Sequence, residues 1–129
     1  MVIQQEHAIN IDELKRLLAQ TDWADTRDAE GLEQMVAHSL CVTARDESKL
    51  VGFARVLTDY TYRAFIEDVI LDHAYRGNGV GTAIMHVMLD LLQNVQEIAL
   101  GCSDENVAFY ERFGFKRVGH ACMHKMANQ

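Results

Sequence analysis

The sequence predicts an α/β protein on a mixed sheet, mostly antiparallel with one parallel pair and with helices on both faces. Three observations carry that expectation. Short apolar runs between residues 40 and 71 are separated by brief polar turns, the pattern of antiparallel hairpins. A strand, a glycine-rich turn and an amphipathic helix then lead into another short apolar run at 97–100. Such a unit sets two parallel strands in one sheet through a right-handed crossover. Helical periodicity appears both before residue 40 and after residue 80, so helices are available for each face. With 129 residues, 49% of them hydrophobic and 24% charged, the chain suits a single domain over 1–129.

Taken in order, Val2 and Ile3 open a short edge strand. Ile11, Leu14, Leu17 and Leu18 recur at helical spacing, with Asn10 or Asp12 as the cap. Residues 21–27 read as a loop around Trp23. A second helix over 28–38 turns Leu32, Met35 and Val36 inward. Strands follow at 40–44, 50–57 and 64–71, the last unusual in carrying Glu67 and Asp68 inside an apolar run. Ile84, Val87, Met88, Leu91 and Leu92 mark an amphipathic helix after the glycine turn. Residues 97–100 form a short buried strand, and 104–113 a helix with Ser103 as its cap. Gly114 suits a helix C-terminus. Residues 115–118 and 121–126 alternate like a last hairpin through Gly119 and His120. The expected order is β-α-α-β-β-β-α-β-α-β-β.

Composition narrows the function classes. A net charge of −7 argues against unspecific nucleic-acid binding, which needs a basic face, and would draw a cationic acceptor to an acidic cleft. Cys41, Cys102 and Cys122 are few, odd in number and without a CxxC pair, so neither a disulfide framework nor a zinc site is expected. His7, His38, His73 and His86 lack metal-ligand spacing, and no metal is expected. Residues 1–10 have no apolar core of a signal peptide, and no apolar run approaches the ~20 residues of a membrane helix. The expectation is a cytoplasmic protein with no membrane partner.

The most informative stretch is Arg76, Gly77, Asn78, Gly79, Val80, Gly81 and Thr82, set between a strand and a helix. Glycines let successive backbone N–H groups face one point, and the helix adds free amides and the positive end of its dipole. That is an anion site, with phosphate the usual guest. A Walker A loop would place lysine where Thr82 stands, and a Rossmann fingerprint read from Gly79 would need glycine or alanine where Ile84 stands.

Arg76-x-x-Gly79-x-Gly81 resembles the (Gln/Arg)-x-x-Gly-x-(Gly/Ala) signature of the GNAT superfamily of acyl-CoA N-acyltransferases. The likeness extends to the strand from Phe65 to Asp72. It also takes in the segment from Asn106 to Phe115 with Phe109, Tyr110, Gly114 and Phe115, and Leu50 to Arg55 as a third strand. It covers the chain from about Leu40 onward. The resemblance implies acetyl-CoA as cosubstrate, its pyrophosphate on the amides of Arg76 to Thr82. The pantetheine arm would lie along Val69, Ile70 and Leu71 like an added strand. Phe109 would wall the channel and Phe115 belong to the core. A bulge in the 64–71 strand usually makes room for the arm. Tyr110 matches the family's leaving-group acid. The family often has asparagine seven residues before that tyrosine. Here that position is Ser103, and Asn106 is expected to contact CoA.

The implied reaction is attack of an amine on a thioester. The amine must lose a proton, since an alkylamine with pKa near ~10 is mostly ammonium at neutral pH. Glu67 is the candidate base, directly or through water, with Asp68 or water alone as alternatives. Strand alternation would put Glu67 on a face with Phe65, Val69 and Leu71, and Asp68 on the other. Acceptor contacts would come from Asp22, Trp23, Asp25, Tyr60, Tyr62, His120 and His124. A small-molecule primary amine is the expected acceptor. Protein lysines or N-termini, or acyl-CoA sensing without turnover, are the alternatives. Many GNAT proteins dimerise through C-terminal strands, so the resemblance allows a homodimer with Met123 and Met126 at its interface.

Overall fold

A computed structural model describes residues 1–128. Five strands, β1 (Val2–Gln5), β2 (Leu40–Asp46), β3 (Lys49–Thr58), β4 (Arg63–Leu71) and β5 (Glu97–Leu100), lie side by side in sequence order. The pairs β1–β2, β2–β3 and β3–β4 are antiparallel, and β4–β5 is parallel. Helices α1 (Ile11–Leu18), α2 (Ala29–Ala37), α3 (Val80–Leu91) and α4 (Val107–Glu111) complete the fold. The expected mixed sheet with one parallel crossover is present.

Strand alternation divides the core between the two faces of the sheet. Leu14, Leu17 and Leu18 of α1 and Leu32 and Val36 of α2 pack on Cys41, Leu50, Phe53 and Ile70. On the other face Val80, Ile84, Met85 and Met88 of α3 pack on Leu40, Val42, Ala44, Ala54, Val56 and Ile66. Each fully buried leucine contributes about 1.5–3 kcal/mol of apolar burial. Local chemistry starts the first two helices. The side chain of Asn10 accepts the Glu13 amide at 3.0 Å, and that of Asp28 accepts the Gly31 amide at 2.8 Å.

Three expectations are corrected. The last hairpin does not form: residues 115–128 carry no strand, and Val118, Met123 and Met126 are exposed. Alternation fixes which side chains would share a face but supplies no partner for the backbone, and β5 ends the sheet with its outer edge unpaired. The helix expected over 104–113 begins as a 3-10 turn, Asp104–Asn106, and is α-helical only through α4. Ser103 stands at its start without a side-chain capping bond to the backbone; its Oγ accepts the Asn106 side-chain amide at 3.2 Å. The third correction concerns β4 and follows with the site. Among the described residues no helix is long and apolar enough to cross a membrane.

Candidate active site

The site is opened by a fault in the sheet. Parallel pairing of β4 with β5 runs from Arg63 opposite Glu97 to Ile66 opposite Leu100 and goes no further. On the other side of β4, Val56 pairs with Ile66 and Arg55 with Asp68, which leaves Glu67 as the extra residue of a β-bulge. Beyond the bulge Val69, Ile70 and Leu71 pair only with β3 and line a cleft of about 940 Å³. The bulge also breaks the alternation. Val69 and Leu71 pack toward the α3 side with Ala64 and Ile66, whereas Phe65 is exposed. Glu67 therefore does not share one continuous face with Phe65, Val69 and Leu71.

The glycine turn forms one end of this cleft. Gly77 and Gly79 both have φ +80°, a left-handed conformation that a side chain would strain. Gly79 starts α3 without a side-chain cap, so the first helical amides and the positive dipole end stay open to an anion. Gly81 lies between Leu71 and Phe109, where an added Cβ would stand 3.4 and 3.5 Å from their side chains. Arg76 and Thr82 line the cleft, as do Gly77, Gly79, Val80 and Gly81; Asn78 does not. Arg112 adds a cation that the sequence reading missed. It donates to Thr82 Oγ1 at 3.3 Å, and its guanidinium lies 5.7 Å from the Phe109 ring centre. Open amides and two guanidinium groups suit a pyrophosphate. The only sequence signal for Arg112 is its place three residues after Phe109, on the same face of a helical turn.

A second cleft of about 320 Å³ adjoins the first. Five residues line both: Trp23, Val69, Ser103, Asn106 and Tyr110. Tyr110 therefore stands where the two spaces meet. Its ring makes edge contacts with Phe109 at 5.0 Å and Phe115 at 6.1 Å. Burial lifts its hydroxyl above the ordinary tyrosine value, and the neighbouring Cys102 acts in the same direction. A phenol so placed holds its proton at neutral pH.

Glu67 lines the smaller cleft, its carboxylate partly exposed and 4.0 Å from Arg55. Asp68 is buried and already used: its Oδ2 accepts from Arg55 Nε at 2.5 Å and from Arg27 Nη1 at 3.1 Å. Asp68 lines neither cleft. Of the acceptor-side residues, Trp23 and Asp22 reach the large cleft, and Trp23 also reaches the small one. Asp25 lines neither. Tyr60 and Tyr62 are exposed at the turn between β3 and β4, away from both clefts. His120 and His124 lie in the exposed C-terminal stretch, where His124 Nε2 sits 3.4 Å from Cys122 Sγ.

Known proteins resemble this chain in sequence and in fold. The chain is 30% identical to an uncharacterised N-acetyltransferase, ycf52, of Porphyra purpurea over 83% of its own length and 65% of that protein's. It is 34% identical to a chloroplastic GCN5-related N-acetyltransferase of Arabidopsis thaliana, over 56% of this chain and 29% of that one. The chain thus spans less than two thirds of these curated relatives. A solved GNAT family acetyltransferase from Streptococcus pneumoniae superposes with a TM-score of 0.87 at 24% identity, covering 99% of this chain and 98% of its own. Residues 8–115, which hold the bulged strand, the glycine turn and the Tyr110 helix, match the Acetyltransferase (GNAT) family, and the chain belongs to it.

Proposed function

We propose that this acyltransferase moves an acetyl group from acetyl-CoA to a primary amine of a small, soluble, cationic molecule, in the cytoplasm. The observation that carries the reading is the junction of two clefts at Tyr110, one ending in an anion cradle and the other holding Glu67. The large cleft suits the donor. Amides at Gly77 to Thr82, with Arg76 and Arg112, would take the pyrophosphate, and Val69 to Leu71, paired with β3 but not with β5, offer that second edge to a peptide-like arm. An aminoglycoside N-acetyltransferase solved with CoA shares the fold, with a TM-score of 0.76 at 16% identity.

Glu67 accepts the ammonium proton, directly or through water, so that the free amine can attack the thioester carbonyl. A β4 amide near Ile70 donates to the carbonyl oxygen as it gains charge. Tyr110 gives its proton to the departing thiolate as the C–S bond breaks, and its phenolate takes up the second proton released by the nitrogen of the new C–N bond; the raised hydroxyl keeps the first proton available until then. Asp22 and Glu67 favour a positively charged acceptor.

The test is CoA release from acetyl-CoA in the presence of separate amines: spermidine, glucosamine 6-phosphate, kanamycin, free amino acids and a lysine peptide. Turnover of a small amine is expected. Turnover of the peptide alone would replace the small-molecule acceptor with protein lysine. CoA binding without turnover on any amine would reduce the chain to an acyl-CoA sensor.

A further inference from the structure

The aromatic wall at the cleft junction is carried by a loop and needs something to hold it. Trp23 lies in the 21–28 connection between α1 and α2, lines both clefts, and is 52% exposed. Its loop is anchored at the base: Thr21 Oγ1 donates to the Leu18 carbonyl at 2.8 Å and accepts the Ala24 amide at 3.0 Å, while Ala24 is buried. None of these contacts orients the indole. Arg27 does. Its guanidinium lies 5.5 Å from the Trp23 ring centre, and its Nη1 donates to Asp68 Oδ2 at 3.1 Å and to Met35 Sδ at 3.4 Å.

Asp68 is the residue after the bulge, buried, and shared with Arg55, which also lies 4.0 Å from Glu67. A chain of contacts thus runs Trp23–Arg27–Asp68–Arg55–Glu67. One end is the aromatic wall, and the other is the carboxylate of the smaller cleft. Asp68 keeps Arg55 as a partner if Arg27 is removed, so the fold does not depend on Arg27 to neutralise a buried charge. What Arg27 supplies is a contact that joins the indole to β4.

We infer that Arg27 is a positioning residue. It registers Trp23 against the bulged strand so that the acceptor amine is held at the mouth where the two clefts join. The inference rests on the acetyltransferase reading for its kinetic consequence but not for the contact itself. Acetyl-CoA has separate anchors at the glycine turn, Arg76 and Arg112, so losing Arg27 affects the acceptor side.

Trp23 is the sole tryptophan, which makes its motion directly measurable. In Arg27→Met, the fast component of its time-resolved fluorescence anisotropy should grow to about twice the wild-type amplitude as the cation–π stacking is lost. Arg27→Lys, which keeps a charge for Asp68, should stay close to wild type in thermal midpoint and fall between the two in anisotropy. With the amine turned over fastest in the panel above, Arg27→Met should raise its KM by about tenfold and leave the KM for acetyl-CoA within about twofold. In a Trp23→Ala background the same substitution should have no further effect on either constant, because the two residues act as one unit.

Unchanged anisotropy in Arg27→Met would overturn the tie. An equal loss of kcat/KM with and without Trp23 would overturn the positioning role. If no amine is turned over, the acetyltransferase reading fails while the anisotropy still decides whether Arg27 holds Trp23.

Discussion

Tyr110→Phe separates catalysis from packing more cleanly than any other change at this site. The substitution deletes one oxygen and keeps the ring that contacts Phe109 and Phe115. No described residue hydrogen-bonds the hydroxyl, so the fold loses no native bond and stability should move by less than about 0.5 kcal/mol. In the proposed mechanism the chemical step loses its acid. General acid catalysis contributes about 10²–10⁴-fold, or roughly 2.7–5.5 kcal/mol of transition-state stabilisation. Steady-state CoA release should show kcat reduced by that factor and the KM for acetyl-CoA nearly unchanged, since the hydroxyl is not among the groups proposed to hold the pyrophosphate. Because burial raises this tyrosine above its ordinary value, the wild-type rate should persist into alkaline buffer before falling, and that fall should vanish in the variant. A kcat within about twofold of wild type at neutral pH would remove Tyr110 from the acid role.

Other expectations follow from single contacts. Glu67→Gln should flatten the acidic limb of the kcat/KM profile, and an identical profile would leave deprotonation to water. Gly79→Ala imposes a side chain on a φ of +80° at the start of α3; it should cost about 1–2 kcal/mol in urea unfolding and raise the KM for acetyl-CoA about tenfold as the cradle amides turn away. Burial pushes the Cys41 thiol from 9.0 up to about 11. The folded state favours the neutral thiol, so its contribution is intact below pH 9 and is lost as pH rises through 11. Between pH 8 and pH 10.5 the wild type should lose about 2 kcal/mol more than Cys41→Ala in urea unfolding, and equal losses would refute a buried thiol.

Much of the scaffold was legible because local rules decide it. Asn10 and Asp28 are cap residues by type, and they cap. Alternating apolar residues sort the sheet faces wherever the pairing is regular. The glycines at 77 and 79 take up a backbone that other residues avoid. The C-terminal pattern misled because alternation describes one strand and pairing needs two. The Glu67 bulge left no mark in composition, since it is a mismatch of count between β3 and β4.

By itself the sequence determined the strand–turn–helix that makes an anion cradle and the family signature around Tyr110, because neighbouring residues specify both. Only the tertiary structure decided where the sheet opens, which carboxylate lines the cleft, and what stands over the junction. Glu67 is left for the cleft because Asp68 is claimed by Arg55 and by Arg27, 13 and 41 residues away in the chain. Arg55 is set opposite Asp68 by the β3–β4 register, and Arg27 reaches it from the connection between α1 and α2, which no local pattern encodes.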